Sequence, residues 1–409
     1  MNTLRVGLRC DAGPRRGVGH LVRCLALAEE LLARGAHVAV FGTVERLDWA
    51  TAELATRGIP LFPGPDSPAA LVDAARLHAL DVVVLDSYEL DPAGAGALRA
   101  AGVFTLAIID GDSRGQDADL YLDQNFGAEP PAGAGLPPGV GLPPGVGLPP
   151  GVGLPPGVGL APGTGLPPGA ELPPGAGLAG RLLAGSGYAL LRNSVISARP
   201  PVPPPAAAVG RPRVLAFFGG TDAVGAAPVL TRVLVATGHP MDLTVIVGRP
   251  DIEAEVEDVT PGRGQIIRPV PPTSSLPALI TEADLVISAA GTSTWELCCL
   301  GAPAALVCVV DNQRESYHRV VRHGLAAGLG ELPELAAPGV TGRAARATAA
   351  RTLHGLLSAP QRRATLAARA WSTVDGRGRA RVVDAVFDAV RASATTVAAG
   401  SAADPGRPS

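Results

Sequence analysis

A histidine directly behind a glycine-rich turn is the first residue in this chain with the makings of chemistry. The stretch GPRRGVGHLVRCLALAEEL, Gly13–Leu31, follows the apolar run LRVGLRC and leads into an amphipathic segment. Gly13, Gly17 and Gly19 let the backbone approach a ligand closely. The helix that starts near His20 aims free N–H groups and a positive dipole end at the same place. The dipole favours a neutral imidazole there, which can accept a proton. Position alone leaves two readings of His20 open, a proton acceptor or a turn residue. Arg23, one turn on, reads as a brace for the loop or an ion-pair partner of Asp11. The spacing is not G-x-G-x-x-G, because Val22 holds the third glycine's place, and it is not a Walker loop, because the chain contains no lysine.

Four further clusters stand where strands end. DVVVLDSYEL brings Asp86, Ser87 and Tyr88 to one carboxyl end, and IIDGDS brings Asp110 and Asp112 to the next. Loop capping accounts for Asp112 and Ser113; Tyr88 remains open between capping and a cleft role. In the second half, FFGGTD (Phe217–Asp222) is another glycine turn, and SAAGTSTWELCCLG (Ser288–Gly301) is a strand, a turn and a helix with Glu296 in its first turn. Amides and hydroxyls there suit a diphosphate. Glu296 could accept the two hydroxyls of a ribose, or close a capping box with Ser293.

The elements that must position these residues are legible from alternation. Strand-like runs (LRVGLRC, HVAVFG, IPLF, DVVVLDS, VFTLAII, DLYLDQN) alternate with helical segments at 21–34, 46–57, 68–80 and 92–101. A second block, from Arg213 to about Val310, repeats the alternation with RVLAFFGG, DLTVIVG, QIIRPV, DLVISAAG and PAALVCVV. Helices follow at 315–323, 343–357, 361–374 and 380–392. Such alternation implies right-handed crossovers and parallel sheets covered on both faces. The fold class is therefore α/β, with two Rossmann-like doubly wound domains facing across a cleft and ligands at the carboxyl ends of the strands. The boundaries read as 1–197 for the first domain, 198–210 for a Pro-rich linker, 211–392 for the second domain, and 393–409 for a disordered tail.

Between Leu136 and Gly177 the composition breaks into seven hexads: LPPGVG four times, then LAPGTG, LPPGAE and LPPGAG. Pro-Gly fits the centre of a type II turn, and one Leu in six residues cannot build a core. Two prolines per repeat would strip donors from a hexapeptide β-helix. The preferred reading of 130–180 is a disordered, elastin-like surface insert.

Composition excludes other classes. At 409 residues with a net charge of −3, the chain has no electrostatic case for nucleic acid or an anionic membrane. No apolar run approaches the roughly 20 residues of a membrane span. The start MNTLRVGLRCD is too weakly apolar for a signal peptide, so a cytoplasmic location is expected. Cys10, Cys24, Cys298, Cys299 and Cys308 read as buried thiols without a C-x-x-C pair, and no metal site is expected. No cofactor is implied, and a monomer is expected.

Seven segments then match a known pattern in order: RCDAGPRRGVGHLVRCLALA, VVVLDSY, ADLYLDQN, YALLR, GGTD, ADLVISAAGTSTWELCCLGAPAALVCVVDNQ and VDGRGRARV. They resemble the family of the UDP-sugar hydrolase of pseudaminic acid biosynthesis, which includes the SpsG-type spore-coat polysaccharide proteins. Both are similar to the glycosyltransferase that makes lipid II, with its two-domain GT-B fold. The resemblance covers most of residues 4–390 outside the repeat. It implies cleavage of a UDP-sugar by water at the anomeric carbon, without metal. It also implies His20 as base, with Tyr88 and Asp11 in the catalytic set. The nucleotide-sugar site it implies comprises Gly17, Gly19, Arg23, Gly219, Gly220, Thr221, Gly291, Thr292, Ser293 and Glu296, with Asp311, Asn312 and Gln313 facing the sugar. Two alternatives stand beside the hydrolase: a glycosyltransferase on the same fold, with an acceptor hydroxyl in place of water, and a nucleotide-sugar-binding protein without turnover. Cys10, where a small or hydroxyl residue is expected, and the hexad insert are departures from the pattern.

Overall fold

The computed structural model describes residues 3–13, 16–45, 47–128, 181–205 and 210–401, with backbone only for 181 and 394–401. The hexads lie outside the described residues. The first sheet contains β1 (Arg5–Cys10), β2 (His37–Phe41), β3 (Leu61–Phe62), β4 (Val82–Asp86), β5 (Phe104–Ile108), β6 (Leu120–Asp123) and β7 (Arg181–Ala184). Its order is β3-β2-β1-β4-β5-β6-β7, all parallel. The helices α1 (Gly19–Ala33), α2 (Asp48–Thr56), α3 (Pro68–Leu77) and α4 (Gly94–Ala100) make the crossovers. VVVLD of β4 is buried at every position, as a central strand covered on both faces must be.

The short α5 (Asn193–Ala198) carries the chain across to a second parallel sheet of β8 (Arg213–Phe217), β9 (Met241–Ile246), β10 (Gln265–Val270), β11 (Leu285–Ala289), β12 (Ala304–Cys308) and β13 (Ala327–Glu331). Its order, β10-β9-β8-β11-β12-β13, repeats the doubly wound pattern of the first. Around it pack α6 (Ala226–Val235), α7 (Pro250–Glu257), α8 (Leu276–Glu282), α9 (Ser293–Leu300), α10 (Arg314–Arg322), α11 (Leu332–Ala336), α12 (Gly339–Leu357) and α13 (Pro360–Thr373).

The last helix, α14 (Gly378–Ser401), departs from the sequence reading in two ways. It runs past residue 393, where a disordered tail was expected. It also belongs to the first domain: Val382, Val383 and Val386 join the core formed by Val6, Leu8, Leu25 and Val84. The chain therefore crosses between domains twice, and the crossings touch. A Cβ on Gly378 would come within 2.3 Å of the Ala189 carbonyl oxygen, so the backbones meet there only because Gly378 has no side chain. Arg381 donates to the Gly187 carbonyl at 2.7 Å across the same junction.

The start of the Pro-rich segment, Arg199 and Pro200, is tied to the second domain. Arg199 donates to the carbonyls of Cys299, Val374 and Trp371 and lies 4.3 Å over the Trp371 ring. Trp371 in turn donates its indole N–H to Pro200 at 3.0 Å. β7 was not anticipated: it follows the repeat directly, and RLLA is too short to signal itself.

Candidate active site

His20 is the second residue of α1, and its carboxylate partner comes from the end of β4. Gly13 and Gly17 exchange backbone hydrogen bonds, at 3.2 and 2.9 Å, and close the turn ahead of it. Gly17 has φ +78°, which favours glycine; Gly19 is needed instead for close approach, since a Cβ there would lie 3.1 Å from Thr292 Oγ1 of the second domain. The ring nitrogen Nδ1 of His20 lies 2.6 Å from Asp86 Oδ1 and 3.2 Å from Arg23 Nη2. The shorter contact is to an acceptor, so Nδ1–H donates to Asp86. That tautomer leaves the Nε2 lone pair as the basic site of the ring.

Asp86 is fully buried and collects the surrounding donors. Arg23 reaches it through Nε at 2.7 Å and Nη2 at 2.6 Å, and Cys24 Sγ lies 3.6 Å away. Burial alone would raise the Asp86 carboxyl; the Arg23 guanidinium and His20 outweigh it and hold the group well below the usual carboxylate range. Asp86 is therefore a fixed anion beneath the imidazole. Cys10 and Cys24 are both buried, and their mutual hydrogen bond, with burial, keeps the Cys24 thiol protonated.

Asp110, at the end of the neighbouring strand, extends the network. It accepts from Arg23 Nη1 at 3.1 Å, from Asn125 Nδ2 at 3.0 Å, and from the Tyr88 hydroxyl. Despite burial, Arg23 holds the Asp110 carboxyl down as well. Burial, reinforced by Asp110, pushes the Tyr88 phenol far above its ordinary value, so Tyr88 is neutral and committed as a donor. Its ring makes a T-shaped contact with His20, centroids 4.6 Å apart, and the Arg114 guanidinium lies over the ring 3.8 Å from its centroid.

Two residues expected to touch the substrate have other partners in the structure. Arg23 is only 3% exposed and spends its guanidinium on Asp86 and Asp110, so it is not a surface for nucleotide sugar. It does not pair with Asp11 either. Both Asp11 oxygens are engaged elsewhere, Oδ2 by Arg9 at 2.8 Å and Oδ1 by the Thr43 amide at 2.8 Å. Asp11 thus braces the β1–β2 side of the sheet and stands outside the cluster around His20. Asp112 accepts from the Arg114 amide at 2.8 Å, as loop capping predicts. The network's own hubs, Asp86 and Asp110, read in sequence only as strand-end polar residues. Their roles depend on partners up to 87 positions away, which no local spacing reveals.

The second domain meets this site through its two glycine turns. A Cβ on Gly220 would lie 2.8 Å from Val18 Cγ2, and Gly219 has φ +75°. Thr221 is buried beside them. Asp222 accepts from the amides of Ala226 and Ala227 at 2.8 Å each, so the start of α6 is already capped by its own side chain. The start of α9 carries no side-chain cap. Gly291, Thr292 and Ser293 therefore present the better anion cradle of the two.

Glu296 does not form the capping box. Ser293 is the first helical residue, Thr292 is the cap position, and the Glu296 Oε1 atom accepts from Arg192 Nη2 at 3.0 Å. Gln313 approaches Gly291 and accepts from the Val309 amide at 3.1 Å. Asp311 is a surface residue paired with Arg314 at 3.0 Å, and Asn312 beside it is exposed. Among the described residues no cluster of His, Cys, Asp and Glu is arranged to hold a metal ion, and no helix is long and apolar enough to cross a membrane.

Residues 215–329 match the model of the glycosyltransferase family 28 C-terminal domain. No curated protein matches the chain in sequence. Among solved structures, the chain is similar to MurG of Acinetobacter baumannii at 15% identity, covering 94% of this chain and 99% of that one with a TM-score of 0.59. It is also similar to the calicheamicin glycosyltransferase CalG4, at 14% identity over 96% and 100% of the two chains with a TM-score of 0.55. A third is the UDP-GlcNAc 2-epimerase from Neisseria meningitidis, solved bound to UDP-GlcNAc, at 11% identity over 94% and 100% with a TM-score of 0.54. At these identities the likeness is one of fold. The chain has the GT-B fold, with two parallel-sheet α/β domains, and its second domain carries the glycosyltransferase family 28 C-terminal signature.

Proposed function

We propose that the protein is an enzyme that transfers a sugar from a nucleoside diphosphate, UDP by preference, to a hydroxyl acceptor. The observation that carries this reading is the His20–Asp86 pair at 2.6 Å, set on the loop whose Gly19 meets Thr292 of the uncapped α9 turn. A diphosphate on the α9 amides would leave the anomeric carbon between the domains, within reach of His20. Nε2 takes the proton of the acceptor hydroxyl as its oxygen bonds to the anomeric carbon. The bond from that carbon to the diphosphate breaks, and UDP leaves with the electron pair. Asp86 stabilises the imidazolium as it forms. A base placed this way contributes typically about 10²–10⁴-fold. Attack opposite the leaving group inverts the anomeric centre.

The family 28 match and the GT-B transferases among the structural neighbours favour transfer. The first-domain motifs RCDAGPRRGVGHLVRC and VVVLDSY, through their resemblance to the UDP-sugar hydrolases, support a second reading in which water replaces the acceptor. The pseudaminic acid and spore-coat settings belong to that second reading. Incubation with a panel of UDP-sugars, with and without hydroxyl acceptors, separates the two by product. A glycoside formed only with acceptor supports transfer, and stoichiometric free sugar without acceptor supports hydrolysis. UDP-sugars that are neither bound nor cleaved would remove both readings.

A further inference from the structure

We infer that Phe126 is a positioning residue that ties the docking of the two domains to the setting of Asp110 in the His20 network. This inference rests on the proposed transfer function, in which that network carries the base.

Phe126 follows the end of β6, which lies beyond β5 from the β4 end that carries Asp86. Its neighbour Asn125 is held by the first domain. The Asn125 amide N–H and Nδ2 donate to Asp123 Oδ1 at 3.0 and 2.8 Å, and Asp123 Oδ2 accepts from the Gly111 amide at 2.9 Å. So placed, Asn125 Nδ2 also donates to Asp110 Oδ1 at 3.0 Å, the oxygen that takes Arg23 Nη1 at 3.1 Å.

The next two residues are held by the second domain. Phe126 packs against the core cluster that contains Tyr317, Val320 and Leu325, and its ring meets the His323 ring in a T-shaped contact with centroids 5.0 Å apart. The Gly127 carbonyl accepts from Arg319 Nη1 of α10 at 2.7 Å. Gly127 has φ +76°, and a Cβ there would lie 3.1 Å from Arg319 Cδ, so glycine leaves room for the arginine stem across the loop.

Three consecutive residues therefore join two bodies: one bonds the catalytic network and two grip the second domain. Successive Cα atoms are fixed about 3.8 Å apart, so the loop cannot lose α10 and relax without disturbing Asn125. Asp110 in turn accepts from the Tyr88 hydroxyl, and the Tyr88 ring borders His20. The network is then complete only while the domains are docked, which confines proton transfer to a closed cleft. This contact is separate from those that Gly19 and Gly220 make on the His20 loop itself.

The test has two arms, both on the full chain. In the first, a dye pair is attached at Leu77→Cys of the first domain and Val340→Cys of the second, positions 80% and 74% exposed, while the five native cysteines are buried. Single-molecule energy transfer is compared for the labelled protein and its Phe126→Ala, Phe126→Leu and Arg319→Ala variants. Phe126→Ala and Arg319→Ala should shift or broaden the distribution, and Phe126→Leu, which refills the apolar contact, should restore most of it. Arg319, whose side chain is 32% exposed, keeps this arm decisive should Phe126→Ala not fold. Unchanged distributions overturn the inference, whatever reaction the protein catalyses.

In the second arm, kcat is measured with the UDP-sugar and acceptor that the product panel selects, for Phe126→Ala, Asn125→Ala and the double variant. Each single change should lower kcat by about fivefold or more, and the double variant should be no slower than the slower single, because both act through Asp110. UDP affinity should stay within about threefold, since the α9 cradle is untouched. Losses that multiply in the double variant would make Phe126 a packing residue only and overturn its positioning role. A protein that turns over no UDP-sugar removes the proposed function and the link to catalysis with it, while the dye arm still decides the docking.

Discussion

The imidazole Nδ1 of His20 lies 2.6 Å from a carboxylate oxygen of Asp86, which is shut off from solvent and held ionised by Arg23. This contact selects the tautomer in which Nε2 is the acceptor, and it supplies the charge that a transient imidazolium needs. Asp86→Asn should therefore lower kcat by about 10² or more and leave UDP affinity nearly unchanged, in line with orienting carboxylates in other His-dependent sites. Steady-state kinetics with calorimetry for UDP checks it. Unchanged kcat would mean that the contact is structural only.

The same carboxylate predicts a pH dependence of stability. The folded value of Asp86 lies below its unfolded value, so its stabilising contribution is complete above the ordinary carboxylate range and is lost as pH falls through the depressed folded value. The melting temperature of the wild type should exceed that of Asp86→Asn by a constant margin from pH 7 to about pH 5, and the margin should shrink below about pH 4. Thermal scans across that range test this. A margin that already closes between pH 7 and pH 5 would contradict it.

Gly220 of the second domain packs against the His20 loop, with Val18 Cγ2 only 2.8 Å from where a Cβ would stand. Gly220→Ala should hold the domains apart and raise KM for the nucleotide sugar several-fold, with little change in melting temperature. The double variant Gly220→Ala with Val18→Ala should recover most of the loss, because the clash is with the Val18 side chain. Failure of the second change to rescue the first would mean that Gly220 matters for its backbone and not for this contact.

The insert prediction rests on composition. The seven hexads between Leu136 and Gly177 carry one Leu in six residues, a composition from which no core is expected. Replacing them with a short Gly-Ser linker should leave β6 and β7 paired as parallel neighbours. It should cost less than about 1–2 kcal/mol, within the range of ordinary substitutions. A larger loss of stability, or of most turnover, would show that the repeat packs on the enzyme.

Periodicity made the two sheets legible because buried parallel strands such as VVVLD carry their signal locally. The His20 turn and the α9 turn were legible for the same reason: glycine next to a helix start is a short-range pattern. What the sequence hid is long-range. From the sequence Arg23 reads as a loop brace or an ion-pair partner of Asp11; its partners are instead Asp86 and Asp110, which only the β1-β4-β5 order brings beneath it. Arg192 and Glu296 are 104 positions apart, and nothing near either residue announces the other. The return of α14 to the first domain was equally hidden, since its apolar stripe would fit either core. The motifs VDGRGRARV and ADLYLDQN now have physical roles: Gly378 allows the two crossings to touch, and Asn125 donates to Asp110.

The measurement that bears most directly on the account is His20→Asn, with kcat and UDP affinity determined on the same preparation. If Nε2 takes the proton from the attacking hydroxyl, kcat should fall by about two orders of magnitude or more while UDP affinity stays within about twofold of wild type. Turnover close to wild type would contradict the account and reduce His20 to a turn residue; loss of UDP binding together with turnover would make it a phosphate contact instead of the base.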